Sequence, residues 1–136
     1  QIARLQYFNE LRSRYARLYD EAFKDSREMI IPTTDSDVVH ARHLYTMLLN
    51  LEKLTLTRAE FIDELKRRNI GATVHYVPVH LHPYYRQRFG WNRDMYPNAT
   101  WVYERTVTLP LFPKMNEGDV QDVIGAVYDV LRNHIR

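Results

Sequence analysis

With 136 residues, 45% of them hydrophobic and 26% charged, the chain is long enough to bury one core and short for a complete multi-step enzyme. A net charge of +2 argues against a nucleic-acid partner, the more so because Arg4, Arg12, Arg14, Arg17 and Arg27 are interleaved with Glu10, Asp20, Glu21 and Asp25 as on a solvated helix face. The absence of cysteine excludes a secreted disulfide scaffold and fits a reducing cytoplasm, and no apolar run approaches the roughly 20 residues that a bilayer span needs, so no membrane partner is expected.

From the first residue, Ile2, Leu5, Phe8, Leu11, Tyr15, Leu18, Tyr19 and Phe23 recur at spacings of three and four, which predicts a helix over residues 1–23 with one apolar stripe. Its tyrosines read as packing residues without chemistry. A chain that begins in helical rhythm with no cap before it is expected to be a piece of a longer protein. Residues 25–39 favour turn and extended chain around Pro32. His43, Tyr45, Met47 and Leu49 then alternate with Leu44, Thr46 and Leu48, the pattern of a largely buried strand.

Thr57 and Glu60 form a capping box at the head of a helix predicted over 58–68, with Phe61, Ile62 and Leu65 on its buried side. Losing that cap should cost about 1 kcal/mol. Asn69 and Gly71 supply the helix-ending punctuation. Ala72 to Val77 is expected as a strand that Pro78 ends, and 83–94 as irregular or short helical chain with a turn at Gly90. Pro97 suits the first turn of a helix to about Arg105, and Val107 to Leu111 suits a last strand. Asn116 caps a final helix whose Val120, Val123, Ile124, Val127, Val130 and Leu131 keep helical spacing. The order is that of an α+β fold: a small antiparallel sheet of about three strands covered by helices.

Between Arg68 and Arg86 no side chain is formally charged unless a histidine is protonated. That interval holds His75, Tyr76, His80, His82, Tyr84 and Tyr85. It reads either as a buried strand leading into a packed loop or as the wall of a ligand site. Zinc is disfavoured there: the imidazoles have no HExxH frame, no cysteine pair and no neighbouring carboxylate. Nucleophilic catalysis is disfavoured as well, because Ser13, Ser26 and Ser36 lack a nucleophile-elbow setting, and the four glycines form no phosphate loop.

Segments 38–51, 57–86 and 97–124 do carry a resemblance. HARHLY at 40–45, TRAEFIDELKRRNIGATVHYVPVHLHPYYR at 57–86, YPNATWVYERTVTLPLFPKM at 96–115 and DVQDVIGAV at 119–127 resemble the C-terminal small domain of the DegT/DnrJ/EryC1/StrS sugar aminotransferases. The resemblance implies a pyridoxal-phosphate enzyme of fold type I that moves an amino group, usually from glutamate, to a keto carbon of a nucleotide-linked sugar. The cofactor acts as electron sink on a lysine Schiff base, and that lysine belongs to the family's large domain. Lys24, Lys53, Lys66 and Lys114 lack its context, so residues 1–136 are expected to be a single small domain, inactive alone and binding no cofactor. Its expected partners are its own large domain, a second copy in a homodimer, and a nucleotide-sugar substrate.

On the same resemblance, His75, Tyr76 and His80 are nearest to the substrate, with His82, Tyr84 and Tyr85 as second choices; hydrogen bonding to sugar or diphosphate oxygens is their expected work. No residue of the chain is expected to be catalytic. Thr100 stands where relatives often have an acidic residue, and Gly118 is expected to loosen the start of the last helix. The competing expectation is a non-catalytic sugar-nucleotide-binding or interaction module with the same fold.

Overall fold

In a computed structural model, residues 2–136 are described. A short 3-10 turn, Ile2–Arg4, leads into helix α1 (Leu5–Phe23), followed by strands β1 (Met29–Ile30) and β2 (Tyr45–Leu49). Helix α2 (Arg58–Arg67) comes next, then a 3-10 turn at Val79–Leu81 and helices α3 (Pro83–Phe89) and α4 (Pro97–Arg105). Strand β3 (Thr106–Leu109) and helix α5 (Glu117–Arg132) complete the order. The sheet runs β1-β2-β3 and is antiparallel throughout. The α+β expectation and the three-stranded sheet therefore stand.

Register explains the core. Tyr45 faces Leu109, Met47 faces Val107, and Leu49 faces Met29. With side chains alternating along a strand, all six share one face, and all six are buried. Tyr19, Phe23, Phe61, Leu65, Val120, Val127 and Val130 complete the same cluster from α1, α2 and α5. Tyrosine hydroxyls then tie the elements together: Tyr19 on α1 donates to the Pro110 carbonyl just after β3 (2.9 Å), Tyr45 on β2 to Asp20 Oδ1 on α1 (2.9 Å), and Tyr128 on α5 to the Ala22 carbonyl on α1. Each buried phenol thus has its polar tip satisfied. Burial pushes the phenols of Tyr19 and Tyr45 well above the ordinary tyrosine range, and nearby Asp119 and Asp20, respectively, add to it.

Two details of the caps follow the sequence. Thr57 and Glu60 exchange both bonds of the capping box. At the other end of α2, Asn69 takes the left-handed conformation (φ 62°), Ile70 N–H reaches the Leu65 carbonyl (2.9 Å), and Asn69 N–H reaches that of Lys66 (2.9 Å). That is the Schellman arrangement with asparagine in glycine's usual place. Asn116 and Asp119 form a second capping box at α5.

Three expectations need correction. Ala72 to Val77 is not a strand: only Thr73 pairs, through a single bridge to Thr108 on the edge of β3 (3.1 and 2.8 Å), and Tyr76 and Val77 then leave the sheet for solvent. The third strand is instead Met29–Ile30, in the stretch read as turn and extended chain; two residues are too few for alternation to show. The stripe of the first helix is buried only in its second half, since Ile2 is 90% exposed and Leu5 54%, and residue 1 of that helix lies outside the described residues. At Gly118 a Cβ would stand 2.9 Å from Asn116 Oδ1, so the missing side chain makes room for the cap of α5.

Candidate functional site

The charge-free interval is built as an anchored loop. After the Thr73–Thr108 bridge the chain passes His75 and Tyr76, turns once at Val79–Leu81, and enters α3 at Pro83, whose fixed φ and missing N–H suit a first helical position. Gly90 ends α3 in the left-handed conformation (φ 68°), where its N–H meets the Arg86 carbonyl at 3.0 Å. Trp91 then folds back on α3. Its ring lies parallel to Tyr85 at 5.6 Å and stacks on Phe89 at 5.0 Å. Tyr96 meets Trp91 edge-on at 5.7 Å and reaches His80 at 4.9 Å. Aromatic contact is therefore continuous from α3 to His80, and such pairs add roughly 0.5–1.5 kcal/mol each beyond area burial.

The six sequence-derived residues separate into anchors and exposed groups. His80 is buried, and its Nε2 lies 3.0 Å from Thr100 Oγ1. Tyr85 is half-buried in the aromatic stack. His82 is exposed and its Nε2, as the protonated nitrogen, donates to the Val77 carbonyl at 3.1 Å, closing the loop on itself. Tyr76 and Tyr84 are 72% and 65% exposed. His75 is half-buried, packs edge-on against Tyr76 (4.8 Å between ring centres), and its Nδ1 is shielded from solvent without a hydrogen-bond partner. The loop thus presents tyrosines on a base of packed imidazole and indole.

Sequence reasoning gave no role to Trp91, Arg93 and Tyr96, and noted Thr100 only as a departure from the family pattern. Thr100 lies in the first turn of α4, where its backbone N–H bonds to the Tyr96 carbonyl and its hydroxyl to that of Arg93 (both 3.0 Å). The signal was present in Pro97: a proline at the first helical position puts residue 100 one turn along.

Behind the loop, Arg105 is buried at the end of α4. Its guanidinium carbon sits 4.3 Å from the Trp101 ring centre and its Nη2 donates to Glu52 at 2.6 Å. That hydrogen bond holds the Glu52 carboxyl below the usual carboxylate range.

A Schiff base to pyridoxal phosphate requires a lysine. All four lysines, Lys24, Lys53, Lys66 and Lys114, are exposed, whereas such a lysine needs an enclosed pocket that lowers its proton affinity. Among the described residues no three metal-ligating side chains gather as a cluster, and no helix is long and apolar enough to cross a membrane.

A three-stranded antiparallel sheet packed on α1, α2 and α5 is an α+β fold that solved sugar aminotransferase structures share. The DegT/DnrJ/EryC1/StrS aminotransferase family model matches residues 1–128. The chain belongs to that family. It is 44% identical over 131 residues to the uncharacterized protein MJ1066 of Methanocaldococcus jannaschii, covering 96% of this chain and 34% of that protein. It is 42% identical over 133 residues to the spore coat polysaccharide biosynthesis protein SpsC of Bacillus subtilis, covering 97% and 34%. Spr1654 from Streptococcus pneumoniae, described as a sugar aminotransferase, superposes with a TM-score of 0.86 at 26% identity, covering 97% of this chain and 33% of that one. Its structures in PLP and PMP forms show the cofactor of that relative. The chain thus spans about a third of the length of the relatives it matches.

Proposed function

We propose that the chain is the C-terminal small domain of a longer pyridoxal-phosphate aminotransferase that transfers an amino group, from glutamate, to a nucleotide-linked keto sugar in the cytoplasm. In this reading a large domain outside residues 1–136 holds the cofactor on its own lysine. The small domain supplies one wall of the substrate entrance, and a second copy of the protein closes the site. The observation that carries the reading is the anchored loop of a chain covering a third of its relatives: His80 and Tyr85 are packed while Tyr76 and Tyr84 are left facing outward.

Tyr76 and Tyr84 offer phenol hydroxyls that donate to and accept from sugar or diphosphate oxygens. These groups bind and orient; fixing a reactant in place lowers the barrier without the group itself reacting. The cofactor supplies the electron sink when bound. Exposed Tyr7 and Phe112 line one pocket, apolar surface of the kind that a neighbouring domain covers.

Borohydride trapping tests the reading. Treated with pyridoxal phosphate and then reduced, the chain alone should carry no adduct at any single lysine, and the full-length protein should carry one stoichiometric adduct at a lysine outside these residues. A stoichiometric adduct at Lys24, Lys53, Lys66 or Lys114 would sink it.

A further inference from the structure

The hydrogen bonds around His80 assign its protons. Thr100 Oγ1 has one hydrogen and lies 3.0 Å from two groups, the Arg93 carbonyl oxygen and His80 Nε2. A carbonyl only accepts, so the hydroxyl hydrogen goes to Arg93 and the Nε2 contact requires hydrogen on the imidazole. With the proton on Nδ1 instead, the hydroxyl would turn to Nε2, and two lone-pair-bearing oxygens would face each other at hydrogen-bond distance. The acceptor is held firmly in place. Asn92 Oδ1 accepts from the N–H groups of Asp94 (3.0 Å) and Met95 (3.2 Å), and Arg93 is ion-paired with Glu104. Tyr96 packs on the imidazole, limiting rotation of the ring.

Resting on the substrate-wall reading above, we propose that Thr100 is a positioning residue that locks His80 in the Nε2–H tautomer. His80 Nδ1 is thereby an acceptor, and the ligand group it takes is a hydrogen-bond donor, a sugar hydroxyl. A neutral imidazole has one donor and one acceptor nitrogen. With the donor committed to Thr100, a diphosphate oxygen, itself an acceptor, would meet a lone pair at Nδ1. The diphosphate is left to donors such as Tyr76 and Tyr84. The aromatic loop is thus divided by hydrogen-bond polarity, with hydroxyl recognition at His80 and oxygen recognition at the exposed phenols.

The test is nitrogen NMR of the full-length protein labelled with 15N-histidine, with His80 assigned by comparison with His80→Gln and spectra taken where the ring is neutral. Ring correlations without ligand should show a protonated Nε2 and a bare Nδ1. Thr100→Ser, which keeps the hydroxyl, should preserve that pattern, and Thr100→Val should convert it to a mixture of tautomers. A protonated Nδ1 in the parent protein, or an unchanged single tautomer in Thr100→Val, would overturn the lock. UDP-glucose as probe should then shift Nδ1, while inorganic pyrophosphate should leave it unmoved. An equal shift with pyrophosphate would overturn the acceptor assignment. If neither probe reaches the loop, the ligand half of the proposal fails together with the substrate-wall reading, while the tautomer, read without ligand, is decided on its own.

Discussion

Tyr45 in the central strand donates its hydroxyl to Asp20 on α1 at 2.9 Å, and Arg42, just before that strand, reaches the other oxygen of the same carboxylate at 3.4 Å. One aspartate thus joins the first helix to the sheet. Burial first, and the Asp20 charge second, hold the Tyr45 phenol above its ordinary range; Tyr19 is raised by burial and by Asp119. A raised folded-state value means that the folded protein binds the phenolic proton more tightly than the unfolded chain. The resulting stability is complete below about pH 10, the unfolded tyrosine value, and is lost as pH rises toward the folded values. Ultraviolet titration should show Tyr19 and Tyr45 ionising only with unfolding. Full ionisation of both near pH 10 with the fold intact would contradict this.

The core makes a larger prediction. Phe61 is completely buried against Leu65 and the sheet cluster, so Phe61→Ala should cost about 3–5 kcal/mol from lost transfer energy and the cavity left behind. Thr57→Ala, one turn earlier, should cost about 1 kcal/mol through the cap alone. Urea unfolding of the two variants checks the ranking, and a cap loss equal to the core loss would show that α2 is held by its end.

Gly118→Ala sets two effects against each other. Alanine gains about 0.5–1 kcal/mol of helix preference, but its Cβ would stand 2.9 Å from Asn116 Oδ1 and displace a cap that contributes about 1 kcal/mol. The net change in stability should fall within about 0.5 kcal/mol of zero. In Asn116→Ala, where no cap remains to disturb, the same substitution should be stabilising. A double-mutant cycle measured by thermal unfolding reads the difference.

Arg105 and Glu52 are unequal partners. The arginine is buried under Trp101 and the glutamate is exposed, so Arg105→Ala should cost about 1–3 kcal/mol through lost packing and the ring contact. Glu52→Gln should cost much less, because the exposed charge is already screened by water. Because its carboxyl is held low by Arg105, the small Glu52 contribution is present above the ordinary glutamate value and fades as pH falls through the depressed one. Equal losses for both variants would contradict the packing explanation.

The sequence made the helices and two of the three strands legible. The spacing of Val120, Val123, Val127 and Val130, the Thr57–Glu60 cap and Pro97 at the start of α4 each rest on short-range rules, and each has its counterpart in the fold. Pairing partners were less legible, because a strand depends on a neighbour far along the chain. Thr73 looked like the start of a strand and makes one bridge; Met29 and Ile30 had no pattern and form an edge strand. The candidate site shows the same division. His80 and the tyrosines stood out by composition, but the group that orients His80 is twenty residues away, and a threonine in a helix carries no mark of the imidazole it will meet.

Calorimetry with UDP-glucose on the chain alone and on the full-length protein tests most directly whether this loop is one wall of a site completed elsewhere. The account predicts no measurable binding to residues 1–136, clear binding to the full-length protein, and roughly tenfold weaker binding in full-length Tyr76→Ala, about 1.4 kcal/mol, with an unchanged melting temperature because Tyr76 is exposed. Binding of equal strength to the chain alone would contradict it and would identify the fold as a self-sufficient sugar-nucleotide module.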